Sequence, residues 1–97
     1  MIFEWDEAKS RRTLRDRGFG FDYAAGIFTG PTLEREDNRR DYGEVRVQAI
    51  GRAGADVLFV VYTERADVRH IISARRANRK ERRSWLSFAE RWTTSDE

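Results

Sequence analysis

Between Val57 and Arg83 the chain reads VLFVVYTERADVRHIISARRANRKERR. Glu64, Arg65, Arg69, His70, Ser73, Arg75 and Arg76 are spaced there so that a hairpin would bring them close together. Arginine suits phosphate because its planar fork donates two parallel, charge-assisted hydrogen bonds. Arginines gathered around one carboxylate fit a reaction that builds negative charge at phosphorus, which points to a phosphate-bearing polymer and first to RNA. Strand alternation puts Arg69, Ile71, Ser73 and Arg75 on one face, and Val68, His70, Ile72 and Ala74 on the other. The plain alternative is an ion-pair lattice in which Glu64 neutralises Arg69 across the hairpin, worth about 0.2–1 kcal/mol per cross-strand pair.

His70 is the only histidine and a candidate general acid or base. Val68 and Ile72 beside it favour a packed histidine instead. Trp5, Trp85 and Trp92 have faces that could stack on bases, but their apolar neighbours favour core packing. With no cysteine, one histidine and scattered carboxylates, no metal site is expected. No cofactor is expected either. Gly18-Phe19-Gly20 lacks the strand-turn-helix setting of a phosphate loop.

The elements that must hold these residues can be read in order. Residues 2–5 form a first strand. Asp6 caps a helix that ends at Gly18 and has a thin apolar face of Ala8 and Leu14. Asp22 caps a second helix over residues 23–28, closed by Gly30-Pro31. Residues 32–36 offer a strand, and the charged stretch 37–43 is the expected mobile loop. Val45, Val47 and Ala49 alternate with Arg46, Gln48 and Ile50 as in a half-buried strand. Residues 51–56 read as a turn, 57–64 as a central strand apolar on both faces, and 68–74 as its hairpin partner. Asn78 with Glu81 three residues on marks a capped helix with Trp85, Leu86, Phe88, Ala89 and Trp92 along one side. The fold class is α+β in β-α-α-β-β-β-α order: a small antiparallel sheet with two N-terminal helices and one C-terminal helix. A single domain over residues 1–92 and a polar tail over 93–97 are expected.

At 97 residues one small domain is the natural reading. The longest apolar run is far short of the ~20 residues that span a bilayer, and the N-terminus has no signal-peptide pattern. A cytoplasmic protein with no membrane partner is the expectation. Charge is uneven: residues 65–92 hold nine bases against three acids, net +6, while residues 1–64 hold ten against twelve, net −2. Basic charge collected at one end raises affinity for polyanions. A solvated, arginine-rich surface helix would give the same composition.

The segments FEWDEAKSRRTLRDRGFGFDYAAGIF, GEVRVQAIG, VLFVVYTER and VRHIISARRANRKERR together resemble the BrnT toxins of bacterial toxin–antitoxin pairs. The resemblance runs from Phe3 to about Trp85 and is strongest at Phe3-Glu4-Trp5-Asp6, Tyr62-Thr63-Glu64-Arg65 and Ile71-Ile72-Ser73-Ala74-Arg75-Arg76. It implies a fold like that of RelE-type ribonucleases, RNA cleavage that arrests translation and growth, and neutralisation by a BrnA antitoxin. That antitoxin carries a ribbon-helix-helix domain, through which alone the complex would contact operator DNA. The family's recurring polar residues fall on Glu44, Arg46, Glu64, Arg65, Arg69, Ser73, Arg75 and Arg76. Asp16-Arg17 replaces a Lys-His pair found in many members, and His70 replaces an aliphatic or aromatic residue.

Metal-free RNA cleavage of this kind needs the 2′-OH deprotonated, the phosphorane charge stabilised and the 5′-oxygen protonated. It leaves a 2′,3′-cyclic phosphate and a 5′-OH. Arg69 and Arg75, supported by Arg46, are the candidates for charge stabilisation, and Glu64 is the candidate base. Arg65, Ser73, Arg76, Arg79, Lys80 and Arg83 would hold the RNA. The alternatives are a non-catalytic nucleic-acid-binding module, or a protein-interaction module using the basic helix.

Overall fold

The computed structural model describes residues 1–94, with side chains described through Trp92. Strand β1 (Ile2–Trp5) leads into helix α1 (Glu7–Arg17), short helix α2 (Phe21–Ala24) and a 3-10 turn (Ala25–Thr29). Strands β2 (Leu33–Glu36), β3 (Val47–Ala53), β4 (Asp56–Arg65) and β5 (Val68–Arg76) follow, then helix α3 (Arg79–Thr94). The α+β class holds, but the sheet is mixed and has five strands in the order β1-β5-β4-β3-β2. β1 joins β5 in parallel, whereas the other ladders are antiparallel. Residues 95–97 of the expected tail lie outside the described residues, and α3 continues through Thr94. Among the described residues no helix is long and apolar enough to cross a membrane.

The inner face of the sheet makes the core. Leu58, Val60 and Tyr62 of β4 and Ile71 and Ala74 of β5 pack with Phe21, Ala24 and Ile27 from the helical layer. At about 25 cal/mol per Å² of apolar surface, these side chains are the main source of stability. α1 lies on the surface as its composition demands. Only Ser10 is buried, and its Oγ accepts from Phe21 N at 2.9 Å. Asp6 caps α1 by accepting from Ala8 N and Lys9 N, and Gly18 ends it at φ 87°, a left-handed value that glycine adopts without a Cβ penalty. Asp22 lies inside α2; Gly20 occupies the cap position instead.

Gly51 is not in a turn. It sits within β3 because the 3-10 turn presses on the strand there. A Cβ on Gly51 would lie 2.9 Å from Ile27 Cβ, 3.0 Å from Thr32 Cγ2 and 3.3 Å from the Ile27 carbonyl oxygen. Gly51→Ala is therefore expected to lower stability by about 1–3 kcal/mol through overpacking. Urea denaturation would read this as a lower midpoint at unchanged slope, and an unchanged midpoint would contradict the packing described.

A β-bulge decides which side chains share a face. Val61 pairs with Ser73 but Tyr62 pairs with Ile71, so Ile72 is the extra residue on β5. Arg69 and Ile71 face inward, as do Ala74 and Arg76, whereas His70, Ser73 and Arg75 face outward. The alternation expected across residues 69–75 resets at Ile72. Arg69 and Arg75 consequently lie on opposite faces.

α3 lies on the outer face. Asn78 and Glu81 close the capping box reciprocally, with Glu81 N donating to Asn78 Oδ1 and Asn78 N to Glu81 Oε1, both at 2.8 Å. Trp85 is buried and donates to the Pro31 carbonyl at 3.0 Å. Leu86 and Trp92 are half exposed rather than packed in the core. Trp5 is part-buried against the core.

Candidate active site

At the Arg65 end of β4, β3 stops short, because its first residue, Val47, pairs with Tyr62. Residues 37–46 close over this gap. The stretch 37–43, expected to be mobile, carries an internal brace built on Asp37. Its side chain is 0% exposed and accepts from Arg39 Nε at 2.8 Å and Nη2 at 2.7 Å. The Arg39 guanidinium holds the Asp37 carboxyl far below the usual carboxylate range, outweighing the opposing effect of burial. Asp37 N also donates to the Arg46 carbonyl at 2.7 Å, and Thr63 Oγ1 to that of Val45 at 2.7 Å.

The result is an open cleft of about 410 Å³ lined by Glu44, Val45, Val47, Tyr62, Thr63, Glu64 and Arg65. On the outer side Glu44 accepts from Arg65 Nη2 at 3.3 Å and from Arg46 Nε at 3.4 Å. The Arg46 guanidinium also lies 3.9 Å from the Tyr42 ring centre. The Arg65 hydrogen bond, with Arg46 adding to it, pulls the Glu44 carboxyl below its ordinary value despite partial burial. One carboxylate thus occupies the focus of two guanidinium groups, where a phosphate oxygen would find the same donors.

On the inner side Glu64 Oε1 accepts from Arg69 Nε at 3.1 Å and also from Nη2. Arg69 is stacked 4.3 Å from the Tyr62 ring centre and 4.7 Å from that of Phe28, so its guanidinium has little rotational freedom. Tyr62 Oη donates to Glu34 Oε1 at 2.8 Å. Burial, then that carboxylate, raise the Tyr62 phenol well above its ordinary value, which keeps it a neutral donor.

The structure brings Glu64, Arg65, Arg69 and Arg46 to one end of the sheet. It does not bring Arg75 to them. Six residues of extended strand separate Arg75 from Arg69, roughly 20 Å at about 3.3 Å per residue, and the faces differ. Glu64 therefore has Arg69 as its arginine partner rather than a ring of arginines. Arg75 is stacked 4.1 Å from the Phe59 ring centre and makes a two-pronged bond to Glu81 at 2.8 and 2.9 Å. That bond draws the Glu81 carboxyl below its ordinary range and fastens α3 to the sheet.

Arg76 donates to the Arg17 carbonyl at the C-terminal end of α1 at 2.6 Å and to Asp56 Oδ1 at 3.3 Å, a favourable place for a cation. Ser73 lines a small cleft with Lys9, Arg12 and Arg17 of α1. Arg79, Lys80 and Arg83 are exposed on the first turns of α3. Among the described residues no three His, Cys, Asp or Glu side chains are grouped to hold a metal ion.

His70 makes a polar contact that the sequence reading did not foresee. Its Nδ1 lies 2.8 Å from Glu4 Oε2, and the same oxygen lies 3.8 Å from Arg65 Nη1. Sequence reasoning missed Glu4 because the pairing depends on the parallel β1–β5 ladder, which sets Glu4 opposite His70. It also missed Tyr42 and Phe28, whose rings position Arg46 and Arg69.

The comparison with curated proteins gives no match. A family profile described as the ribonuclease toxin BrnT of type II toxin–antitoxin systems matches residues 5–81. The matched span takes in the cleft, the bulged hairpin and the start of α3. An RNA substrate and an antitoxin partner go with that class of protein. The chain belongs to the BrnT family of type II toxin–antitoxin ribonuclease toxins.

Proposed function

We propose that this protein is a metal-independent endoribonuclease that cuts RNA at the cleft beside the open end of β4. In this reading it inhibits translation and growth in the cytoplasm. A BrnA-like ribbon-helix-helix antitoxin neutralises it and provides the contact to operator DNA. The observation that carries the reading is the meeting of Arg46 and Arg65 on Glu44, with the clamped Glu64 across the cleft.

A substrate phosphate displaces Glu44 from Arg46 and Arg65, which stabilise the charge gathering on the non-bridging oxygens. Glu64 takes the 2′-OH proton. Arg69 holds that carboxylate in one orientation and adds positive charge beside the reacting phosphorus. Arg75, engaged with Glu81, keeps α3 in place, so that Arg79, Lys80 and Arg83 can hold the RNA backbone beyond the cut. Ser73 and Arg76 serve the scaffold and the flanking strand contact.

A second reading has one observation in its favour: Arg46, Arg65, Arg69 and Arg75 each already hold a carboxylate. A binding module built on such a lattice would bind RNA in a steeply salt-dependent way and leave it intact. Incubating antitoxin-free protein with RNA in EDTA, followed by end-group analysis, separates the two. Fragments ending in 2′,3′-cyclic phosphate and 5′-OH are expected. Intact RNA beside folded protein would overturn the catalytic reading.

A further inference from the structure

We propose that His70 is the general acid that protonates the leaving 5′-oxygen, with Glu4 as its positioning residue. The proposal rests on the metal-independent cleavage described above. His70 stands on the outer face of β5, directly opposite Thr63 of β4, and Thr63 lines the cleft. Such cross-strand neighbours have Cβ atoms about 4.5–5.5 Å apart. His70 is therefore one strand from the cleft, on the same face as Arg65. Its side chain is 22% exposed, enough for a substrate atom to reach the ring edge.

Glu4 sets the ring's orientation. A carboxylate can only accept, so the contact with Glu4 places a hydrogen on Nδ1 and leaves Nε2 as the nitrogen available to a substrate. Among the described residues Nε2 has no hydrogen-bond partner. Glu4 on β1 is the charged group that meets the ring, and Arg65 on β4 lies 3.8 Å from the same Glu4 oxygen with Glu44 beyond it. Glu64 faces inward and His70 outward. An in-line displacement needs base and acid on opposite sides of the phosphorus, the arrangement a phosphate would meet if seated past the open Arg65 end of β4, where both faces can be reached. The 2′-oxygen bonds to phosphorus as its proton passes to Glu64. The bond from phosphorus to the 5′-oxygen breaks as Nε2–H of the imidazolium supplies that oxygen with a proton. Solvent then exchanges both groups back.

The test compares two substrates: ordinary RNA, and the same strand with sulfur in place of the bridging 5′-oxygen at the cut. Sulfur leaves as a thiolate and needs no proton. His70→Asn keeps an N–H for Glu4 but cannot act as an acid. It is expected to slow ordinary RNA about 10²–10³-fold while cutting the sulfur-bridged strand within about threefold of the wild-type protein. Glu4→Gln should show the same split with a smaller loss on ordinary RNA. It keeps the test open if His70→Asn fails to fold. Unchanged cleavage of ordinary RNA by a folded variant, or equal loss on both substrates, overturns the assignment of His70 alone. Failure of the wild-type protein to cut either substrate overturns the cleavage reading beneath it as well.

Discussion

Glu64→Gln should abolish most RNA cleavage, lowering kcat by about 10²–10⁴-fold, the range ascribed to a positioned acid–base group. Glutamine has the same shape and can still accept from Arg69, but it cannot take a proton from the 2′-OH. Little stability should be lost. The Glu64 side chain is 56% exposed, and pairs in such settings are worth about 0–1 kcal/mol. Parallel measurement of cleavage rate and urea midpoint separates the two effects. A variant that cuts RNA within about threefold of the wild-type rate would remove Glu64 from the chemistry. Glu64 would then stand as a counter-ion to Arg69, as the lattice reading has it.

Removing the paired donors should have effects of similar size. Arg65→Ala and Arg46→Ala are each expected to cost about 10²–10³-fold in kcat, the loss seen when one preorganised donor to a developing oxyanion is deleted. The two should fall short of additivity, because both reach the same focus now held by Glu44. Arg65 is the cleaner test, since its side chain is 55% exposed and carries no packing role in the core. Each deletion should also lower the salt dependence of RNA binding by about one phosphate contact. Loss of binding with kcat intact would make these arginines grips on the strand and move the chemistry elsewhere.

Much of this arrangement is legible in the sequence where the signal is local. The capping residues Asp6 and Asn78, the stop at Gly18 and the doubly apolar run of β4 can be read directly, because each depends on a few adjacent side chains. What escapes is set by backbone geometry or distant pairing. The bulge at Ile72 has no residue signature, yet it turns Arg75 away from Arg69 and divides one expected cluster into two. Glu4 meets His70 across 66 residues through a parallel ladder that short-range patterns do not encode. Gly51 resembles a turn residue in sequence, whereas packing by Ile27 and Thr32 explains it in the fold. Residues 37–43 look loose because they are charged, but burial of Asp37 under Arg39 turns their charge into a brace.

The consequence for function is a division of labour along the sheet. The Arg65 end gathers Glu64, Arg69, Arg46 and Arg65 around the cleft, and the Arg76 end uses its arginines to fasten α1 and α3. Mapping where RNA sits therefore distinguishes the two ends. The measurement is backbone amide chemical-shift perturbation on titrating a 2′-O-methyl RNA oligonucleotide, which binds but cannot cyclise. Shifts concentrated at residues 44–47, 62–65 and 69–70, with weaker ones at 79–83, are the expected result. Shifts confined to α3 and residues 75–76, with the cleft residues unmoved, would contradict it.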